Sequence, residues 1–558
     1  MVVLIQQFIL DNVKYYLVQM LNSKNKGIMK KIKYNLFILL GLGLTLQSCV
    51  NDLEVVPEGE TQLSSEQFYA QPGAYKQALA GVYGNLSLTG TGGAESSSIG
   101  GVDAGTSQYG RVLWYLQNLS TDEVIWSYEN DPGTREIQRN IWNATNPIIR
   151  GMFSRATFQV ALVNEFLRQS SPEKLSSRGV TDTQTLADIE LYRKEARVLR
   201  ALAYYHLMDL FGKAPFVTES DPINTAGPEY NREQLFTYIE TEINDVLPDL
   251  KPSRTNEYGR LDQSVANMIL AKMYLNAEVY IGVNKYQQCI DKCNAIMTGG
   301  YTLNSNYLNN FKADNHTSNE MIFTLQSNGE VTQNYGPTTV IINGQVGSLE
   351  GNGSQFGVGG WGGALRLRKQ FVQKFDGGAY NSDARKTIIS ANRNIEINDI
   401  SNKDQGFVLG KFSNISSTGA VGLSSTFVET DFPLFRYADV LLMMVEAQVR
   451  KDGTANSTSL GHINNLRIRA NGGSSSANIS LADLTLDFIL DERSRELHWE
   501  GHRRQDLIRF GKYTGGSYNW AWKGNGINGV PISANLRVFP IPEAALASNP
   551  NLTQNTGY

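Results

Sequence analysis

Cysteine is nearly absent, with three in 558 residues at Cys49, Cys289 and Cys293. A disulfide framework is thereby excluded, since the last two sit four apart on one helical segment with no further partner. They read as small buried hydrophobes, because a zinc site needs more ligands than the sequence places near them. Long apolar runs are also missing beyond residue 48, which leaves nothing to cross a bilayer as a helix. There is no basic excess either, with 50 Lys and Arg against 54 Asp and Glu. That balance argues against nucleic acid as a partner.

The apolar run that does exist has an order. A basic head (Lys30, Lys31, Lys33) precedes Leu36 to Leu44, and small or polar residues then lead to Leu46-Gln47-Ser48-Cys49. The order is that of an export signal. Its apolar part falls short of the roughly 20 residues of a membrane span. The last four residues resemble a bacterial lipobox, so Cys49 is expected to be the lipidated first residue and to hold the protein on a membrane. Residues 1–28 then read as a mis-assigned upstream start, 29–48 as signal peptide and 49–64 as a polar tether. Residues 1–48 carry six Lys and one Asp, so the remaining 510 residues hold 44 basic and 53 acidic side chains, net −9. That length supports a large core or two to three structural units.

Apolar residues recur at spacings of 3 and 4 from Tyr192 to Leu210 and from Ala266 to Tyr280, which predicts amphipathic helices. The first stops at Gly212 with Pro215 beyond, and another runs from about Arg232 to Leu247. Further helices are expected near 65–86, 147–168, 286–297, 436–450, 460–470 and 484–510. Pairs of roughly 34 residues read as a tetratricopeptide-like scaffold. The fold class is therefore mainly α. Residues 301–435 change character to Gly, Asn, Ser and Thr, with short β-rich pieces at Met321 to Leu325 and Val340 to Ile342. This is a loop-rich insertion between helical parts at 65–300 and 436–558, and loops on a rigid scaffold are where binding residues usually sit.

Several motifs invite chemistry. His498 and His502, four apart on an expected helix, lack the glutamate directly after the first histidine that a zinc protease needs. Glu496 and Glu500 make a conceivable carboxylate pair for glycoside hydrolysis. Arg493, Arg503, Arg504 and Arg509 nearby predict ion pairs that lower carboxylate pKa values, the wrong direction for a general acid. A structural charge network is the expectation. The Gly357 to Gly363 run has no lysine and hydroxyl for phosphates, and its glycines leave Trp361 either as an exposed ring or in a glycine corner. Around Trp126 and Tyr128, alternation puts both rings on one side of an extended segment, with Arg111, Asn130 and Asp131 near. These aromatics suit a sugar surface or core packing equally.

The chain resembles the SusD/RagB family of surface glycan-binding lipoproteins of Bacteroidota. The likeness is carried by Glu195–Leu202, Asp209–Phe216, Phe435–Asp439, Asn465–Asn471, Glu492–Gly511 and the end from Phe539-Pro540 to Gly557-Tyr558. Within the family it is most similar to the starch-binding branch, through Leu119–Trp126, Gln333–Gly336, Trp361, Val372–Phe375 and Trp520–Gly524. The resemblance implies an arc of aromatics that holds a starch helix, helped by an arginine and an amide. It places Arg111, Tyr128, Tyr335 and Trp361 at those positions, with Trp126 beside them and the loop 87–146 contributing. Tyr128 stands where the branch has tryptophan, and Asp131, with Asn130 beside it, where it has the amide. Some members bind calcium in an acidic loop. Ala313–Thr317 has fewer carboxylates, so no metal or other cofactor is expected.

The implied role is capture of starch or a related α-glucan and delivery to a SusC-like TonB-dependent channel in the outer membrane, without catalysis. The alternatives are the same role for another glycan such as a fructan, an α-helical glycosidase using Glu496 and Glu500, and a lid with no ligand of its own.

Overall fold

Helix starts in this chain are set by capping side chains. Asn146 accepts hydrogen bonds from the Ile148 and Ile149 N–H groups at 3.0 and 3.3 Å, and Pro147 takes the first helical position. These residues satisfy or remove donors that have no partner inside the Pro147–Gln169 helix. Asp182 caps Thr183–Phe211, which ends at Gly212 with φ of 72°, a conformation glycine adopts without strain. Asn231 and Asp262 cap Arg232–Val246 and Gln263–Leu275 in the same way.

The computed structural model describes residues 63–347, 349–350 and 353–558. The leader and Cys49 lie outside them. The described residues before Tyr75 belong to a separate unit and include the helix Ser65–Tyr69. From Tyr75 on, successive helices pack on their neighbours: Pro147–Gln169 on Thr183–Phe211, that helix on Arg232–Val246, and Gln263–Leu275 on Tyr286–Met297. The stack continues through Tyr437–Asp452 to Ser457–Ala470 and Leu486–Leu497. The mainly helical, paired-helix expectation holds. Cys289 and Cys293 are unpaired and buried in this core. Among the described residues no helix is long and apolar enough to cross a membrane.

Between the helical parts, short antiparallel strand pairs join segments distant in sequence. Met321–Leu325 pairs with Phe432–Arg436, and Val124–Trp126 pairs with Leu365–Leu367. Val340 to Ile342, expected as β, instead lie in a buried helix, Pro337–Gln345. A short continuous apolar run does not distinguish a buried strand from a buried helix, and Pro337 at the first helical position decides for the helix.

The expected helix over 484–510 is broken. Leu486–Leu497 and Arg503–Arg509 flank a non-helical link in which Trp499 has φ of 62° and Gly501 of 84°. The backbone groups freed there are claimed by residues 114–123. Trp499 N–H donates to Glu123 at 3.1 Å, Gly501 N–H donates to Asn118 at 2.8 Å, and the Trp114 indole donates to the Trp499 carbonyl at 3.0 Å. Arg503 holds Asp122 with two bonds of 2.7 and 2.8 Å.

The charge-rich motif is an interior ionic network. Arg436 meets Glu320, Glu496 and Glu500 at 2.8, 2.9 and 2.8 Å, and Arg385 meets Asp383, Glu492 and Glu496 at 2.6, 2.8 and 3.3 Å. Glu320, Asp383 and Arg385 come from the loop-rich segment, so the network ties it to the C-terminal helices. Burial pushes the Glu496 carboxyl up, but Arg469, Arg436 and Arg385 outweigh it and hold the group well below 4.5. Glu492 is likewise held at about 2, by Arg385, Arg495 and Arg467 against the effect of burial.

Two outcomes are expected in urea denaturation. Arg436→Met removes the buried cation shared by Glu320, Glu496 and Glu500 and costs about 3–5 kcal/mol. Because both glutamate pKa values are lowered on folding, their contribution is complete above about pH 5 and is lost as pH falls toward 2. Glu492→Gln should flatten the decline in that window, and a wild-type stability flat across it would contradict the assignment.

Candidate functional site

The site begins at the clasp of Asp122 and Glu123 just described, which fixes the root of the strand Val124–Trp126. Its partner strand places Leu365 opposite Trp126, and Ser127 N–H continues the ladder to the Ala364 carbonyl at 2.8 Å. Trp361 is thereby brought to Trp126, edge to face with centroids 6.1 Å apart. Tyr128 packs edge-on to Trp126 at 5.5 Å and donates from its hydroxyl to the Trp361 carbonyl at 3.0 Å. Trp361 N–H donates to the Asn343 carbonyl at 2.7 Å, so the Pro337–Gln345 helix steadies the glycine-flanked ring.

The second half of the surface is Arg111 and Tyr335. Arg111, 6% exposed in the Tyr109–Trp114 helix, donates to the Tyr115 hydroxyl at 3.0 Å and to the Gly105 carbonyl at 2.9 Å. A Cβ on Gly105 would lie 3.6 Å from the Tyr335 ring, so Tyr335 and the turn held by Arg111 are neighbours. Burial raises the Tyr115 phenol above its usual value, Arg111 opposes that and Asp131 adds to it. Arg111 and Asp131 therefore both act on one hydroxyl. Asp131 accepts from the Trp126 indole at 3.0 Å, and Asn130 beside it is exposed. Tyr335 and Trp361 are both half-buried.

Two ring assignments need correction. Trp126, expected to contact ligand, is 2% exposed; it backs Trp361 and Tyr128 from below because its strand is buried on both faces. Tyr128 presents no free face on one side, since the Lys403 ammonium lies 4.4 Å from its centroid and donates to its hydroxyl at 2.6 Å. Lys403 was not legible in sequence. It is held there by Arg366, whose buried guanidinium donates to the carbonyls of Ile400, Asn402 and Gln405.

Comparison with known proteins agrees with this architecture. The SusD family model matches residues 267–558. A curated relative, the starch-binding protein SusD of Bacteroides thetaiotaomicron, is 30% identical over 96% of this chain and 100% of its own. The chain belongs to the SusD family. A SusD-like protein of Formosa agariphila is 25% identical over 95% of this chain and all of its own length. Among solved structures, a SusD homolog from B. thetaiotaomicron aligns with a TM-score of 0.68 at 20% identity, covering 88% of this chain and 98% of that one. The surface glycan-binding protein A of the same organism, solved with laminarihexaose, aligns with a TM-score of 0.64 at 21% identity over 87% and 99%.

Other candidate clusters in this SusD-family chain are structural. His498 and His502 share no helix. His498 bonds to the Arg495 carbonyl, His502 contacts Lys272, and burial drives both imidazoles down, His502 to about 3. Glu496 and Glu500 are buried in the ionic network. Asp314 accepts from Ser417 N–H and hydroxyl. Among the described residues no three His, Cys, Asp or Glu side chains converge as a metal site requires.

The distinction between supporting and presented rings has a measurable consequence. Trp126→Ala should cost about 3–5 kcal/mol of stability in chemical denaturation, and Trp361→Ala less than half as much. Equal losses would contradict the placement of Trp126 beneath the surface.

Proposed function

We propose that the protein binds α-glucans of the starch type at the surface formed by Tyr335, Trp361, Arg111 and Asp131. The observation that carries this reading is that Arg111 and Asp131 neighbour rings more than two hundred positions away: Tyr335 lies against the Gly105 turn whose carbonyl accepts from Arg111, and Trp361 packs on Trp126, whose indole donates to Asp131. A glucose ring has a face of C–H groups and a polar rim. Stacking covers the face, while arginine and carboxylate groups take hydroxyl pairs. The full-length similarity to a protein named for starch binding favours a coiled α-glucan as ligand. A panel that includes other glycans is needed because one structural neighbour was solved with laminarihexaose.

The proposed role is capture and handover without chemistry. Lipidation of Cys49 would keep the protein at the outer-membrane surface, beside a SusC-like TonB-dependent transporter that receives the glycan. An open platform binds weakly, with Kd of about 0.1–1 mM, or about −5.5 to −4 kcal/mol. Weak binding suits release, and residence beside the channel raises the local sugar concentration.

Affinity electrophoresis in starch gels tests the reading. Retardation of the wild type is expected, with Trp361→Ala and Tyr335→Ala each weakening retention about tenfold, or about 1.4 kcal/mol. Retention unchanged in both variants would point to another site, and no retention of folded wild type, with binding to a different polysaccharide in calorimetry, would replace starch as ligand. Release of reducing sugar by the wild type, abolished in Glu496→Gln, would overturn the non-catalytic assignment.

A further inference from the structure

Next to Tyr335 lies a ring that the site as described does not use. Phe427 packs against Tyr335 at 5.2 Å with an interplanar angle of 61°. Both are half-buried, and neither packs into the hydrophobic core, whereas Trp361 and Tyr128 do. The two rings therefore pack on each other, and each residue keeps part of its surface exposed. The same two loops expose Val331, four residues before Tyr335, at 83% and Leu423, four residues before Phe427, at 66%.

The Phe427 loop is fixed relative to Trp361. Gly359 N–H donates to the Ser425 carbonyl at 2.8 Å. The buried Asn343 side chain donates to the Thr426 carbonyl at 3.0 Å and accepts from Gly360 N–H at 3.3 Å, while its main-chain carbonyl accepts from Trp361 N–H. One asparagine thus sets the spacing between the Trp361 turn and the Phe427 turn. On the other side, a Cβ on Gly329 would lie 3.2 Å from the Phe427 carbonyl, so the loop leading to Tyr335 is packed against the same turn.

We infer that Phe427 is a ligand-contacting ring that extends the stacking surface beyond Tyr335, so that the site accommodates a longer run of sugar than Tyr335 and Trp361 serve alone. The inference rests on the proposed glucan-binding reading. The occupant is a further sugar residue of the same chain, because the open ring is continuous with Tyr335 and rigidly placed relative to Trp361. Asn343 is a positioning residue for both turns.

The experiment is isothermal titration of wild type, Phe427→Ala, Phe427→Leu and Phe427→Tyr with maltotriose and maltoheptaose, with thermal melting as a check of folding. Phe427→Ala and Phe427→Leu should weaken maltoheptaose about three- to tenfold, the range of one aromatic contact. Maltotriose should change less than maltoheptaose, and Phe427→Tyr should bind like wild type. Phe427→Leu keeps the apolar bulk, so it reports on the ring even if the alanine variant is unstable. Maltoheptaose binding by Phe427→Leu equal to wild type overturns the inference while leaving the glucan reading intact, and would assign the apolar patch to a protein partner instead. Failure of the wild type to bind either sugar overturns both.

Discussion

The rest of the structure depends on the buried ionic junction around Glu496 and Arg436. A loop-rich segment of well over a hundred residues contributes little regular structure of its own, and loops are expensive to order. Here it is ordered by charge. Glu320 pairs with Arg436 and Arg469, Arg385 with Glu492 and Glu496, and Lys411 with Glu500 at 2.7 Å. Charges taken out of water are costly unless every partner is present, so a slipped loop would strand several at once. The network therefore works less as a source of net stability than as a penalty on every arrangement but one. The same C-terminal motif breaks its helix at Trp499 and grips Asp122 and Glu123, which sets the strand beneath the rings.

From that base the ring surface is assembled in two tiers. Trp126, Asn343 and Arg366 are buried and hold neighbours by hydrogen bonds and edge-on packing; Trp361 and Tyr335 are half-buried and keep part of their surface exposed. A shallow platform of this sort needs rigidity more than depth, since preorganised rings lose little entropy when sugar arrives. Lys403 adds a further constraint by covering part of Tyr128, which leaves Trp361 as the open ring at that end.

Much of the scaffold was readable from sequence because its signals are local. Periodicity and the stops at Gly212 and about Leu247 located the helices, and the arginines around Glu496 and Glu500 announced ion pairing. What escaped were features set by distant contacts. Val340 to Ile342 read as β, yet they lie in a buried helix, because a short continuous apolar run has the same look in a buried strand and a buried helix. The break at 498–502 is imposed by residues 114–123, far away in sequence. Trp126 alternates like a surface ring yet is covered because its strand pairs with Leu365–Leu367. Phe427 and Lys403 sit in loops without periodicity, and only the folded chain reveals their neighbours.

The most direct measurement is a crystal structure of the protein with maltoheptaose. Sugar rings should lie against Tyr335 and Trp361, with hydroxyls within about 3 Å of the Arg111 guanidinium, and Trp126 should touch no sugar. An oligosaccharide seated elsewhere, with Tyr335 and Trp361 untouched, would contradict the account.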